Sequence, residues 1–208
     1  MAKDLETNVR KLREEWKSSG GKPLSLDQRG IKAEIEKNAV KCSRGPSIIR
    51  ALRYPEKMTK KEKDEVFDKA KEYLAEELHK LLQSKTISET EFDGWAKETA
   101  SKIRDIYRST PYEVKDFTYG NAQKLINMAI KYLLSSSSID KNHPLFKVAH
   151  IPVDGIIQSK LGVKIDTTNH SWSQCDDWKV FKEYQKVIRK LSKEKGYYSP
   201  LICEIDNW

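Results

Sequence analysis

An amine and a carboxylate, Lys124 and Asp154, stand 30 residues apart, each beside the start of a short helical pattern. Lys124 follows a glycine-containing entry, Tyr119-Gly120-Asn121, and falls in the first turn of a helix expected over 121–134. That helix rests on Leu125, Met128, Ala129, Tyr132 and Leu133, which recur at i, i+3, i+4, i+7 and i+8. The dipole at a helix start disfavours a cation, and a lysine in its neutral form is a nucleophile. Asp154 closes the run His150-Ile151-Pro152-Val153-Asp154. Pro152 fixes the chain just before it, and its carboxylate has the chemistry to cap a helix over Gly155–Leu161, with Gly162 as the stop. Spacing alone is also satisfied by an ordinary cap and an ordinary surface lysine.

The elements that must position this pair are all helical by pattern. Residues 4–17 carry Leu5, Val9, Leu12 and Trp16 on one stripe before Ser18-Ser19-Gly20-Gly21 breaks it. A second helix is expected over 26–40. The basic turn Lys41–Ser47 follows it and reads as a solvated loop. Thr59 to Gln83 reads as one long helix, with Val66, Phe67, Ala70, Tyr73, Leu74, Leu78 and Leu81 inward. Ser88-Glu89-Thr90-Glu91 has the capping-box form and opens a helix through Tyr107, with Phe92, Trp95, Ala96, Ile103 and Ile106 inward. Thr110-Pro111 stops it. Between the lysine helix and the aspartate lies a loop from about Ser135 to Ala149, and an irregular piece spans 163–177. The helix Trp178–Glu194 directs Val180, Phe181, Tyr184, Val187, Ile188 and Leu191 to the core and ends at Gly196. Pro200 begins the last helical segment. No β-rich run of convincing length is present, so the fold class is all-α in a single domain, 1–208.

Composition narrows the chemistry. A net charge of +8 with 34% charged residues suits a polyanionic partner. No run has the length of a membrane helix, and the N-terminus lacks an apolar signal core. Cys42, Cys175 and Cys203 read as reduced thiols of a cytoplasmic protein and fall short of the four an iron–sulfur cluster needs. His143, His150, His170 and Cys175 share a region, but no pair has a zinc-ligand spacing. There is no glycine-rich phosphate loop and no nucleophile elbow. No metal and no cofactor are expected. Trp95, Trp172 and Trp178 read as core.

Two segments carry a resemblance. Pro-Val-Asp-Gly-Ile-Ile-Gln-Ser-Lys-Leu-Gly, 152–162, resembles the aspartate segment of helix-hairpin-helix DNA glycosylases. Gly120–Leu134 is similar to that superfamily's lysine-bearing helix. The Gln-Lys pair, the long loop and the Ile-Pro-Val-Asp at its end resemble the archaeal 8-oxoguanine glycosylase branch. The tail 184–208 is similar to that branch's last helices, where an acid precedes a tryptophan by four residues; here these are Glu204 and Trp208. The likeness covers 119–208, and the portion 1–110 is unmatched. Two positions depart from the family. The Leu-Pro-Gly-Val-Gly hairpin signature is replaced by Tyr119-Gly120-Asn121, and Glu204 stands where the branch has aspartate. The excised base therefore stays open between 8-oxoguanine and an enlarged cytosine such as those of phage DNA.

The resemblance implies a two-lobed helical fold with a divergent hairpin and the active site between the lobes. It implies a monomer acting on double-stranded DNA with a modified or damaged base, in repair or phage defence, and DNA binding would associate it with the nucleoid. Lys124 would attack the sugar and leave a Schiff base, and Asp154 would stabilise the cationic sugar and take a proton. Glu204, Trp208, Pro152 and Met128 would line the base pocket. Gly120, Asn121 and Gln123, with free N–H groups at the helix start, would grip backbone phosphate. A water-using glycosylase and a non-catalytic helical DNA-binding module are the alternatives.

Overall fold

The computed structural model describes residues 5–18, 53–135, 139–166 and 171–207. Every regular element among them is helical, with no strand, as the pattern predicts. The expected helix 26–40, the basic turn 41–47, His170 and Trp208 lie outside the described residues. No helix among the described residues is long and apolar enough to cross a membrane.

Local chemistry sets the first boundaries. Helix α1 (Leu5–Ser18) buries Val9 and Leu12. Helix α2 (Lys60–Leu82) starts at Thr59, whose hydroxyl accepts from Glu62 N at 3.2 Å while Glu62 accepts from Thr59 N at 2.7 Å. Helix α3 (Glu89–Arg108) repeats the arrangement with Ser88 and Glu91 at the same distances. Each such cap contributes about 0.5–2 kcal/mol. The two helices pack on each other through Val66, Phe67, Ala70, Leu74 and Leu78 of α2 and Phe92, Ala96, Ala100 and Ile103 of α3, all buried. Tyr73, Leu81, Trp95 and Ile106, expected inward, are half-buried at the edges of these faces.

Helix α4 (Tyr119–Leu133) follows after Tyr107 stacks on Phe117 with ring centroids 3.8 Å apart. It begins two residues earlier than the pattern predicts because Thr118 caps it, ahead of the Tyr119-Gly120-Asn121 entry. The Thr118 hydroxyl accepts from Asn121 N, and Asn121 Oδ1 accepts from Thr118 N at 3.0 Å. The amphipathic reading of this helix is also corrected. Every residue from Gly120 to Leu133 is buried, so α4 is the central helix, enclosed on its polar side as well as its apolar one.

The expected loop 135–149 contains a further helix, α5 (Pro144–Val148). His143 Nδ1 caps it by accepting from Leu145 N at 3.2 Å, and Pro144 takes the first position. Helix α6 (Gly155–Leu161) runs between Asp154 and Gly162 as predicted, and Gly162 adopts φ +66°. A 3-10 turn, Trp172–Gln174, precedes α7 (Trp178–Glu194) and α8 (Pro200–Asn207). Val187 is not a core residue, being 50% exposed; Tyr184 and Ile188 make the inward face of α7. Helix α8 packs against α1, α5, α6 and α7.

The buried apolar residues form two clusters. The larger joins α1 to α5 and part of α8. The smaller gathers Ile151, Val153, Ile157 and Leu161 with Phe181, Tyr184 and Ile188 of α7. Tyr119 and Tyr197 pack against both.

Candidate functional site

The larger cluster holds the helix of Lys124, and the smaller holds the segment of Asp154. The two side chains meet where the clusters meet. Lys124 Nζ donates to Asp154 Oδ2 in a buried ion pair, with side-chain exposures of 2% and 9%. The other oxygen of Asp154 is occupied too, accepting from Ile157 N at 2.9 Å to cap α6. One carboxylate thus holds a helix start and faces the amine. Because α4 begins at Tyr119, Lys124 is its sixth residue and lies in the second turn. It is therefore beyond the turn in which the dipole acts most strongly.

The strand-like strap 150–154 that carries Asp154 is held by side-chain amides. Gln185 of α7 accepts from Ile151 N at 3.1 Å and donates to Ile151 O at 2.8 Å. Gln123 of α4 accepts from Val153 N and donates to Val153 O, both at 3.2 Å. Asn127 donates to Ile151 O at 3.0 Å and to Gln123 Oε1 at 3.1 Å. A neighbouring β-strand would satisfy alternate residues in the same way; here two glutamines on flanking helices do so. The five of these bonds that reach the strap fix the height of Asp154 against α4, since leaving a buried backbone group unpaired costs about 1–3 kcal/mol. Pro152 and Met128, expected at a base pocket, are both buried around this strap and helix.

At its other end the strap is anchored by His150. Its Nε2 lies 2.8 Å from Asp93 Oδ1, and Arg189 donates to both oxygens of Asp93, at 2.7 and 3.2 Å, and to Val148 O at 3.1 Å. Burial holds the imidazole below its ordinary value, against the pull of Asp93, and Arg189 lowers it further. His150 is thus neutral and donates to the carboxylate. Burial opposes the Asp93 charge, but the bonds from His150 and Arg189 outweigh it and keep the carboxyl far below the usual range. Sequence reasoning did not find Gln185, Asp93 or Arg189. Their partners lie 34, 57 and 96 residues away, where local spacing carries no signal.

The residues expected to grip phosphate are placed otherwise. Tyr119 N donates to Asp176 Oδ1 at 3.0 Å, Gly120 N to Cys175 O at 3.1 Å, Asn121 N to Thr118 Oγ1 and Ala122 N to Thr118 O. The anion that a helix N-terminus attracts is supplied by Asp176, which Arg104 and Arg108 also hold at 3.1 and 2.8 Å. Asn121 and Gln123 are buried, and Gly120 is a close-approach glycine: a Cβ there would lie 2.0 Å from Trp172 O. The expectation of free N–H groups at 120–123 is therefore corrected, because the 172–176 segment closes that end.

Glu204 is also closed in. It has no exposed surface and pairs with Lys131 Nζ at 3.1 Å, itself fully buried. In this arrangement it ties α8 to α4. His143 and His150 are accounted for by the α5 cap and by Asp93. Among the described residues no three His, Cys, Asp or Glu side chains converge as a metal site.

No family model, curated protein or solved structure matches the chain.

Proposed function

We propose that the protein is a DNA glycosylase that excises a modified base, with Lys124 as nucleophile and Asp154 as its partner. The observation that supports this reading is the meeting of Lys124 and Asp154 at the seam of the two apolar clusters, across 30 residues of sequence. In this reading the clusters are the cores of two lobes of a divergent helix-hairpin-helix fold. A helical DNA-binding module needs neither a lysine and aspartate buried together nor a strap clamped to hold one of them.

The chemistry follows from the pair. As found, the amine is bonded to the carboxylate, so a proton must leave Lys124 before it attacks, and Asp154 is the acceptor in reach. With the target nucleotide out of the stack, the Nζ lone pair forms a bond to C1′. The N-glycosidic bond breaks with its electrons going to the departing base, which takes up a proton. The carboxylate stabilises the positive charge on the sugar. Ring opening, with an Nζ proton passing to O4′, gives the protonated Schiff base, and β-elimination then removes a C2′ proton and breaks the C3′–O bond with its electrons leaving on the phosphate. The same ion pair favours a second reading, in which Lys124 stays charged and water is the nucleophile.

Borohydride trapping on duplexes carrying single modified bases, 8-oxoguanine and enlarged cytosines among them, tests the proposal. A covalent adduct that Lys124→Gln loses supports the lysine mechanism. Base release without an adduct supports the water route, and neither product on any duplex of the panel rejects the enzyme.

A further inference from the structure

With the start of α4 filled by Asp176, a polyanion has to be held by other groups. A cleft of about 810 Å³ opens beside it, between the N-terminal halves of α3 and α7, with Tyr119 and Trp178 in its lining. Lys97 of α3 and Lys179 and Lys182 of α7 line this cleft, and all three are exposed. None makes an ion pair with a described residue. Further along α7 the lysines are engaged: Lys186 with Glu183 at 2.7 Å and Lys193 with Glu89 at 3.4 Å.

The acids of the cleft are committed. Asp93 belongs to His150 and Arg189, Asp176 to Arg104 and Arg108, and Glu89 to Lys193. Asp177 caps α7 by accepting from Lys179 N at 2.9 Å. What the cleft offers to a ligand is therefore three lysines from two helices facing one groove, with the Asp177 carboxylate turned to the start of α7, and lysines three apart on a helix stand about 5–6 Å from each other. Tyr119, at the edge of the groove, is five residues before Lys124, roughly 7.5 Å along the helix axis and about 140° round it.

We propose that this cleft binds the phosphodiester backbone of duplex DNA, with Lys97, Lys179 and Lys182 contacting phosphates. The proposal rests on the glycosylase reading for its occupant, while the charge geometry stands apart from it. Lysine contacts to phosphate release counterions, so each steepens the salt dependence of binding by about 0.9.

The test is fluorescence anisotropy of a labelled duplex oligonucleotide across a salt series. The triple variant Lys97→Gln/Lys179→Gln/Lys182→Gln should fold as the wild type does, since the changes are on the surface, and its salt slope should drop by about 2–3. A control with equal charge loss, Lys61→Gln/Lys80→Gln/Lys190→Gln, should keep the wild-type slope. A cleft variant with an unchanged slope, or a control that loses as much, overturns the cleft. So does a cleft variant that loses affinity for single-stranded RNA but not for the duplex. If borohydride still traps the wild type in such a case, only the cleft is lost. A wild type that neither binds nor is trapped removes the glycosylase reading with it.

Discussion

Helix α4 carries two buried lysine–carboxylate pairs, seven residues apart, and they differ in what surrounds them. Lys131 and Glu204 have no exposed surface, whereas Lys124 and Asp154 keep an edge of it, most on the aspartate. The inner pair links α4 to α8. The outer pair links α4 to a strap whose length is bonded by amides, and its carboxylate already caps α6. Removing one partner of a fully buried pair strands a charge and costs about 3–5 kcal/mol. The contrast teaches that burial of an ion pair is not by itself a sign of chemistry. Position at a seam, an edge of exposed surface and a carboxylate that also caps a helix are what set the proposed reactive pair apart from the inner one.

The largest expected effect tests the outer pair. Asp154→Asn should lower base release by about 10²–10⁴-fold, as loss of a positioned acid–base group does. Asparagine caps a helix as well as aspartate, so α6 should persist, while Lys124, left buried without its anion, should lower the melting temperature. DNA affinity should survive. Release at the wild-type rate would show that the two pairs are alike after all.

The inner pair should respond in the opposite sense. Lys131→Met leaves Glu204 buried without its cation and should cost about 3–5 kcal/mol, or on the order of 10 °C in melting temperature for a chain of this size. The double variant Lys131→Met/Glu204→Leu should recover most of it, because an apolar pair of similar volume needs no desolvation of charge. Thermal melts of the two variants decide this. If the double variant is stable yet loses excision of a modified base, Glu204 is part of the base pocket and not only a tie.

Much of this fold is spelled in short stretches of sequence, and the misses have a common cause. Thr59, Ser88, Asp154 and Gly162 announce helix ends because a cap and its partner lie within a few residues. The pairing of Lys124 with Asp154 came from resemblance, not from spacing. The enclosure of α4 was hidden because periodicity counts apolar residues and treats Gln123, Asn127 and Lys131 as a solvated face. Their partners, Val153, Ile151 and Glu204, lie 24 to 73 residues away. Only the polar stripe itself was available as a signal, and it does not say what it meets. The short α5 was lost inside a loop for want of length. Thr118 was passed over because glycine was read as the entry.

The strap between the pairs and α7 gives a smaller effect. Gln185→Leu removes both bonds to Ile151, leaving Asn127 to satisfy its carbonyl alone. The cost should be about 1–3 kcal/mol. If the glutamine positions Asp154, the rate constant for base release should fall about 10-fold or more with DNA affinity kept, since small misplacements are costly to catalysis. A melting temperature that falls while the single-turnover rate holds would confine Gln185 to stability.

The smallest effect concerns pH, and it sets the strap's far anchor apart from both pairs. His150 lies between the rings of Phe92 and Trp178, at 4.9 and 6.3 Å, and donates to Asp93, which Arg189 also holds. Burial holds its imidazole below the ordinary 6.5, so on acidification the unfolded chain takes up this proton before the folded one does. Stability is therefore whole above pH 6.5 and declines as pH falls below it, by up to about 1.4 kcal/mol per unit until the folded state also protonates. Between pH 7.5 and 5.5 the melting temperature should therefore fall on this account. Asp93 acts lower down. Its carboxyl is depressed below the ordinary 3.8, so its contribution persists through this window and is lost only under stronger acid. His150→Gln keeps a donor towards Asp93 without a titrating ring, and its melting temperature should vary less across pH 7.5–5.5 than that of the wild type. Equal slopes for the two proteins would mean that folding leaves the His150 imidazole at its ordinary value, and a wild type that gains stability over the variant on acidification would mean that His150 is protonated in the folded state and that the anchor is an ion pair like the other two.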